Sequence, residues 1–184
     1  TEGESPVHDF AFTIDPEALI YRRNFNAQSF EFRDREEELK VASSLGYSAD
    51  KLSEVVPGNE VEMILMLQPE HSDYQERYFD ATAKALYYFG LWYGGYPYKT
   101  ISIVDPANNA RNTGGMEYPR LFTGGARLGM AERTLRPQGV TVHEFGHQYW
   151  YGIVANDEFR HAWLDEGFNT FDTNRILDAA WEPA

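Results

Sequence analysis

Residues 138–151 read QGVTVHEFGHQYWY and contain two histidines spaced four apart, His143 and His147. Pro137 stands just before this stretch, where helix entries favour proline, so we predict a helix over residues 138 to about 154. On a helix, residues four apart project from nearly one face and differ by about 6 Å in rise. Two imidazoles placed in this way can bind one Zn²⁺ from the same side, as tetrahedral coordination requires.

The residue after the first histidine, Glu144, is offset around the helix and cannot lie in line with the two ligands. It can instead flank the open position of the metal. A carboxylate there can accept a proton from a water that the metal activates and later pass it to the leaving amine. The HExxH pattern of residues 143–147 therefore predicts a zinc-dependent peptidase with Glu144 as its general base and acid.

A catalytic two-histidine zinc site needs a third protein ligand, and Glu166 is the leading candidate. Eighteen residues separate it from His147. We predict a second helix over residues 158–180, antiparallel to the first, which brings Glu166 back over the histidines. A carboxylate as third ligand leaves the fourth position open for water, which is typical of a catalytic site. We therefore predict one Zn²⁺ per chain, held by His143, His147 and Glu166.

Three segments of the sequence resemble one family of zinc peptidases. HEFGHQYW at residues 143–150, WLDEGFNTF at residues 163–171 and GGMEYP at residues 114–119 are similar to the aminopeptidase-N and leukotriene hydrolase family of gluzincin peptidases. The resemblance covers most of the chain from about residue 9 and is strongest from Gly114 onward. It implies an α+β, thermolysin-like zincin catalytic domain, with a mixed sheet packed on helices and HExxH on a central helix.

In this family the Gly-x-Met-Glu segment lies on the edge strand beside the substrate. The resemblance therefore implies that Gly114, Gly115, Met116 and Glu117 bind the substrate, with Glu117 on the free α-amino group of a peptide. A carboxylate at a fixed distance from the metal pairs with the ammonium group and sets cleavage one residue from the amino end. We predict an aminopeptidase that removes N-terminal residues from peptides.

Two departures from the family pattern leave alternatives open. The family usually follows Met-Glu with Asn, whereas Tyr118-Pro119 stands here, so the turn and its hydrogen bonds must differ. The family also uses a tyrosine downstream of the third ligand to stabilise the oxyanion, and no tyrosine follows Tyr151 in this sequence. Loss of one such donor can cost about 10² to 10³ in rate. A zinc endopeptidase or other hydrolase of the same fold, and a non-catalytic zinc-binding domain, stay as alternative hypotheses.

The length and composition predict one globular domain. The chain has 184 residues, of which 42% are hydrophobic and 15% aromatic, enough for one sizeable core but not two. We predict one catalytic domain over residues 1–184, with residues 1–15 as a candidate linker from a preceding β domain. The abrupt finish at residues 181–184, together with the missing tyrosine, predicts a fragment of a longer multidomain chain, truncated on the C-terminal side and lacking its C-terminal domain.

Charge and hydropathy narrow the possible partners. The formal charge is −13, from 29 acidic and 16 basic residues, and such a surface repels phosphate backbones, so we expect no nucleic-acid partner. The absence of cysteine excludes disulfides and thiolate metal sites. No apolar run approaches the roughly 18 residues that span a bilayer, so we predict no membrane segment in this chain. The expected partner is a peptide substrate, and no compartment is assigned.

The rest of the chain shows strands before helices, which suggests an α+β layout. Strands are predicted at residues 8–14, 29–32, 61–67 and 100–104, with the polar patch of residues 21–24 lying between the first two. The apolar period predicts a helix over residues 72–90, and Pro119 predicts a short extended piece at residues 114–119.

Side chains near the third ligand are candidates for positioning the metal ligands. We expect Asp165 or Asn169 to orient a ligand histidine through its second ring nitrogen. His161 is five residues before Glu166 and lies off its helical face, so we expect it at the surface or outside the ligand shell. His71 is distant in sequence and is assigned no role.

Overall fold

A four-stranded mixed sheet forms the framework of the protein in the computed structural model, which describes residues 9–110, 113–131 and 133–181. Its strands are β1 (Leu19–Asn26), β2 (Glu60–Leu67), β3 (Thr100–Val104) and β4 (Leu121–Thr123), in this spatial order. β1 runs antiparallel to β2, whereas β2, β3 and β4 are parallel to one another. The α+β class and the mixed sheet predicted from the sequence are confirmed.

Five α-helices accompany the sheet within the described ranges. They are α1 (Arg35–Ser44), α2 (Leu52–Val55), α3 (Gln75–Tyr93), α4 (Arg136–Gly146) and α5 (Asn169–Ala180). Short 3₁₀ helices occupy Ala49–Lys51 and Pro69–Tyr74, and a π-helical segment occupies Trp163–Phe168. None of the helices in these ranges is both long and apolar enough to cross a membrane.

The core lies between the sheet and the long helix α3. Alternate residues of β2 are buried, as expected for a strand with one face on the core, and α3 is buried over most of its length. On its far side, Phe89 of α3 stacks on Tyr149 at 5.1 Å between ring centroids and packs edge-on against Phe145 at 5.9 Å. These aromatic contacts hold α4 against the rest of the domain.

The first two predicted strands are wrong. Residues 9–14 form no strand, residues 29–32 lie in a turn and bend, and His8 lies outside the described residues. The first strand is β1 instead, which contains the polar patch. β1 is an edge strand of the sheet and is mostly exposed, and its sequence LIYRRNFN mixes apolar and polar side chains without a regular alternation. Arg22 pairs across the strands with Glu62 at 2.9 Å. The period of two that marks a half-buried strand is therefore missing here.

The two predicted C-terminal helices are also shorter than expected. α4 begins at Arg136 but ends at Gly146, where the chain turns, and the amide of Gly152 then donates to the carbonyl of His147 at 2.9 Å. The span 158–180 holds a turn, the π-helical segment and α5 rather than one helix. The predicted order of strands first and helices last is wrong as well, because helices α1 to α3 precede β3.

Candidate active site

Helix α4 carries the first part of the HExxH motif, and its end packs closely on α5. His143 and Glu144 lie in the last turn of α4, and His147 caps it. A Cβ on Gly146 would lie 1.8 Å from Asn169 Oδ1 and 2.7 Å from Phe89 Cζ, so only glycine allows this approach. Because the two helices are this close, Asn169 Nδ2 donates a hydrogen bond to the carbonyl of His143 at 2.7 Å. The junction of α3, α4 and α5 thus fixes the end of the motif.

The three predicted zinc ligands come together at this junction. His143 Nε2 and His147 Nε2 face each other at 3.1 Å, and Glu166 Oε2 lies 3.3 Å from His143 Nε2. Glu166 Oε1 lies 3.9 Å from His147 Nε2. The π-helical segment, not a plain α-helix, delivers this carboxylate to the histidines. A π-helical turn inside a helix is frequent at functional sites.

The donor set fits a tetrahedral zinc ion. Two ligand atoms about 2.0–2.2 Å from Zn²⁺ at a tetrahedral angle are about 3.4 Å apart, close to the three separations found here. Burial lowers the pKa of His143, and His147 lowers it further, while Glu166 and Glu117 act in the opposite direction. A neutral imidazole with a free Nε2 is the form that binds zinc.

The buried carboxylate of Asp165 contacts His147, a predicted zinc ligand, on the ring nitrogen that faces away from the other ligands. Asp165 Oδ1 lies 2.6 Å from His147 Nδ1, and both side chains are almost fully buried. Such a contact favours the tautomer with the proton on Nδ1, which leaves Nε2 free for a metal. On the other histidine, Thr173 Oγ1 lies 3.5 Å from His143 Nδ1. The structure therefore places Asp165, rather than Asn169, against a ring nitrogen.

Glu144 is buried next to a glycine-rich backbone segment. Burial raises the pKa of Glu144 to about 8, and the carboxylates of Glu117 and Glu166 add to the shift. A Cβ on Gly115 would lie 2.5 Å from Glu144 Oε1, and Gly115 has a φ of 73°, so this position needs glycine on both counts. The backbone beside the predicted base can approach this closely because it carries no side chain.

The segment that contains Glu117 lies along the edge of the sheet. Met116 pairs with Thr123 of β4 in an antiparallel bridge, and the amide of Thr123 donates to the Met116 carbonyl at 2.9 Å. The predicted extended piece is therefore limited to this single bridge. The carboxylate of Glu117 contributes to the raised pKa of Glu144, so the predicted amino anchor and the predicted base are neighbours.

The sequence reasoning missed the residue that holds the turn after Glu117. Gln148 is 2% exposed and follows His147 directly. Its Oε1 accepts from the amide of Arg120 at 2.7 Å, and its Nε2 donates to the carbonyl of Tyr118 at 3.0 Å. Arg120 has a φ of 62°, a left-handed backbone that a non-glycine residue adopts at a cost. Gln148 therefore ties the turn to the end of the ligand helix.

Carboxylates are crowded around this site. Oxygen atoms of Glu117 and Asp165 and a nitrogen of His147 lie within 4.8 Å of one another, next to the His143, His147 and Glu166 group. The carboxylates of Glu117, Glu166 and Asp165 all raise the pKa of Glu144. Like charges this close are costly without a cation. The electrostatics thus agree with the ligand geometry in favouring a bound divalent metal.

The other two histidines of the described residues, His71 and His161, lie away from the site. His161 is exposed, and its carbonyl accepts from Asn156 Nδ2 at 2.6 Å, in agreement with the surface position expected for it. His71 is fully buried, with Nδ1 at 2.7 Å from Asp105 Oδ2, and Tyr78 donates to the other oxygen of Asp105 at 2.6 Å. This buried cluster joins β3 to α3, and no local sequence signal indicates it.

Comparison with known proteins identifies the family of this chain. The family model described as peptidase family M1 domain matches residues 77–183, which include every predicted site residue. Over 81 residues the chain is 36% identical to leucine aminopeptidase 2 of Lodderomyces elongisporus, a match that covers 44% of this chain and 12% of that protein. The chain thus spans a small part of this relative.

A solved structure shows a similar fold. The crystal structure of Legionella pneumophila aminopeptidase A in complex with aspartic acid superposes with a TM-score of 0.55 at 17% identity, over 67% of this chain and 15% of that one. Because the family model covers more than half of the chain, and because the fold agrees, the chain belongs to peptidase family M1.

Proposed function

We propose that this chain carries the active site of a zinc-dependent aminopeptidase that hydrolyses the N-terminal residue from peptides. The observation that carries the proposal is the convergence of His143, His147 and Glu166, with ligand atoms within 4.8 Å of one another, beside the buried Glu144. Membership of the peptidase family and the relatives named as aminopeptidases support the same conclusion.

His143, His147 and Glu166 would hold the zinc ion. Bound there, Zn²⁺ would supply the Lewis acidity that polarises the scissile carbonyl and activates water. Asp165 fixes the tautomer of His147 through its Nδ1 contact at 2.6 Å. The three protein donors leave one side of the ligand group open, which is the arrangement of a catalytic site.

Glu144 is assigned the proton transfers. Its carboxylate accepts the proton of the attacking water and gives it to the amine of the departing residue. Burial and the surrounding carboxylates make Glu144 more basic than an exposed glutamate, as the raised pKa indicates. A base that binds the proton more firmly can also hold it between the two transfers.

Glu117 is assigned to the α-amino group of the substrate. The carboxylate neighbours both His147 and Glu144, so an ammonium group paired with it would lie one residue from the reacting carbonyl. The backbone of Gly114, Gly115 and Met116 would align the peptide beside Glu144. An N-terminal ammonium would also offset part of the negative charge that crowds this site.

Leucyl p-nitroanilide and its N-acetylated form test the proposal on the zinc-loaded protein. We expect hydrolysis of the free amine at least about 10²-fold faster than of the acetylated form, because only the free amine can pair with Glu117. Chelation should abolish the activity and zinc should restore it. Glu144→Gln should lower kcat/KM by about 10² to 10⁴ with zinc content unchanged, and the exposed Glu60→Gln serves as the matched control.

Each alternative function has its own outcome in this assay. Equal turnover of the two anilides would replace the aminopeptidase by an endopeptidase or another hydrolase, the alternative that Tyr118-Pro119 raised. Full activity in Glu144→Gln would remove the assigned base. Zinc bound at a stoichiometry of one, without hydrolysis of either anilide, would favour a non-catalytic zinc-binding domain.

A further inference from the structure

A cavity of about 290 Å³ adjoins the proposed base. Glu144 lines it together with Val140 of α4 and with the backbone segment of Gly114 and Gly115. Within the described part of the chain, neither Glu117 nor any proposed zinc ligand belongs to its wall. The cavity therefore extends from Glu144 away from the amino-anchor side of the site.

The direction in which a bound peptide would run places the residue after the cleaved bond in this cavity. With its amino group at Glu117, a peptide that follows the glycine segment runs from Met116 towards Gly115 and Gly114, two residues of the cavity wall. Glu144 gives its proton to the amine of the departing residue and lines the same cavity. The residue that follows the cleaved bond must therefore enter it.

Two arginines line the cavity of this strongly acidic chain. The formal charge is −13, yet Arg127 and Arg136 both lie in the cavity wall. Arg127 is half-buried and Arg136 is exposed, and neither forms an ion pair with an acidic residue of the described ranges. A guanidinium group binds carboxylates through two parallel hydrogen bonds, a geometry that lysine cannot match.

The segment that carries both arginines is tied to α3 and the residues before it. Tyr74 donates from its hydroxyl to the carbonyl of Arg127 at 2.8 Å. Arg77 donates to the carbonyl of Thr134 and, at 2.8 Å, to Gln138 Oε1, on either side of Arg136. The two guanidinium groups therefore extend from a backbone that is held in place, as a binding site requires.

We infer that this cavity is a carboxylate-binding site for the residue after the cleaved bond. The inference rests on the proposed aminopeptidase function and adds a substrate class to it. Arg127 and Arg136 select peptides with a carboxylate at this position, supplied either by an acidic side chain or by the free carboxyl end of a dipeptide. The chain as a whole is negatively charged and repels anions, whereas this cavity would attract a carboxylate.

Two matched substrate pairs separate the sources of the carboxylate. Leu-Asp-Ala amide against Leu-Asn-Ala amide isolates an acidic side chain, and Leu-Ala against Leu-Ala amide isolates a free carboxyl end. In at least one pair we expect the charged substrate to have a kcat/KM about fivefold to tenfold higher, since partly exposed charged hydrogen bonds contribute on the order of 1 kcal/mol. The pair that shows the preference identifies the source.

Arginine variants then assign the preference to the cavity. Arg127→Gln and Arg136→Gln should each lower the charged-to-neutral ratio, and the double variant should bring it to about one. Arg133→Gln is the matched control, because Arg133 is exposed, lies in the same segment and is outside the cavity wall. An unchanged ratio in the double variant would overturn the inference.

Failure of the inference differs from failure of the proposed function. A ratio near one in both pairs, with leucyl p-nitroanilide still hydrolysed, overturns the carboxylate site and leaves the aminopeptidase intact. If no substrate is hydrolysed, the proposed function fails, and calorimetric binding of the four peptides to zinc-loaded Glu144→Gln decides the cavity by itself. Tighter binding of the charged member, lost in the double arginine variant, supports the site, and equal binding overturns it.

Discussion

The proposed zinc-ligand region and the proposed substrate-binding region of this protein are built in different ways. The ligands lie where α4, the π-helical segment and α5 meet, and buried residues such as Asp165 and Asn169 hold them in place. The proposed substrate segment around Glu117 has one isolated bridge and a turn that Gln148 joins to the end of α4 through two hydrogen bonds. Packing therefore positions the proposed zinc ligands, whereas a few hydrogen bonds position the proposed substrate segment.

The largest effect is expected from a substitution at Gly146, where α4 approaches α5 most closely. Gly146→Ala places a Cβ at 1.8 Å from Asn169 Oδ1, so α5 must move away from α4 and the Asn169 bond to His143 is lost. We expect a loss of about 3 kcal/mol or more in the free energy of unfolding, together with weaker zinc binding. Urea denaturation and zinc titration measure the two effects.

A second glycine of the same helix provides the control. A Cβ on Gly139 would meet Leu177 Cδ1 at 3.5 Å, an ordinary contact, so Gly139→Ala should leave stability unchanged or raise it by up to about 1 kcal/mol. An equal loss in Gly139→Ala would contradict the assignment of the Gly146→Ala effect to the contact with α5, because helix propensity alone favours alanine at both positions.

The next effect concerns the contact of Asp165 with the Nδ1 atom of His147. Asp165→Asn keeps the size of the side chain but removes the negative charge that lies 2.6 Å from His147 Nδ1. We expect zinc affinity to fall about 10- to 100-fold, as competition with a chromophoric chelator would show. Asp178→Asn, at an exposed position of α5, should not change the affinity. Unaltered zinc affinity in Asp165→Asn would show that packing alone orients the histidine.

The same contrast explains what the sequence could predict. The convergence of His143, His147 and Glu166 was predictable because a helix brings the two histidines to one face whatever surrounds them, and because the spacing to Glu166 allows the chain to return over them. The strands β2 and β3 were predictable from their apolar runs, which the core buries. The two histidines and the two strands have local signals, and the structure confirms β2 and β3 and brings the three side chains together.

The remaining features depend on contacts between distant residues. β1 is a mostly exposed edge strand, so its sequence lacks the regular alternation of apolar and polar residues that would have indicated its pairing with β2. α4 ends early because the chain must turn at Gly146 to meet α5. Gln148 acts on Tyr118 and Arg120, which lie 30 and 28 residues earlier, and its neighbours in sequence do not indicate this. Long-range hydrogen bonds of this kind are invisible to local patterns.

The smallest of these effects concerns the turn after Glu117. Gln148→Met keeps a long, buried side chain but removes both hydrogen bonds to the turn. Because each buried hydrogen bond contributes about 0.5–1.5 kcal/mol, we expect the preference for free over N-acetylated leucyl anilide to fall about fivefold to tenfold, mainly through KM.

Zinc affinity separates this role from a general structural one. The turn lies outside the packed junction of α4 and α5, so Gln148→Met should retain zinc while its substrate preference falls. Asp165→Asn should show the reverse order, with zinc lost first. If Gln148→Met instead loses zinc and leaves the preference intact, then the two regions are not independent, and the end of α4 depends on the turn as much as the turn depends on α4.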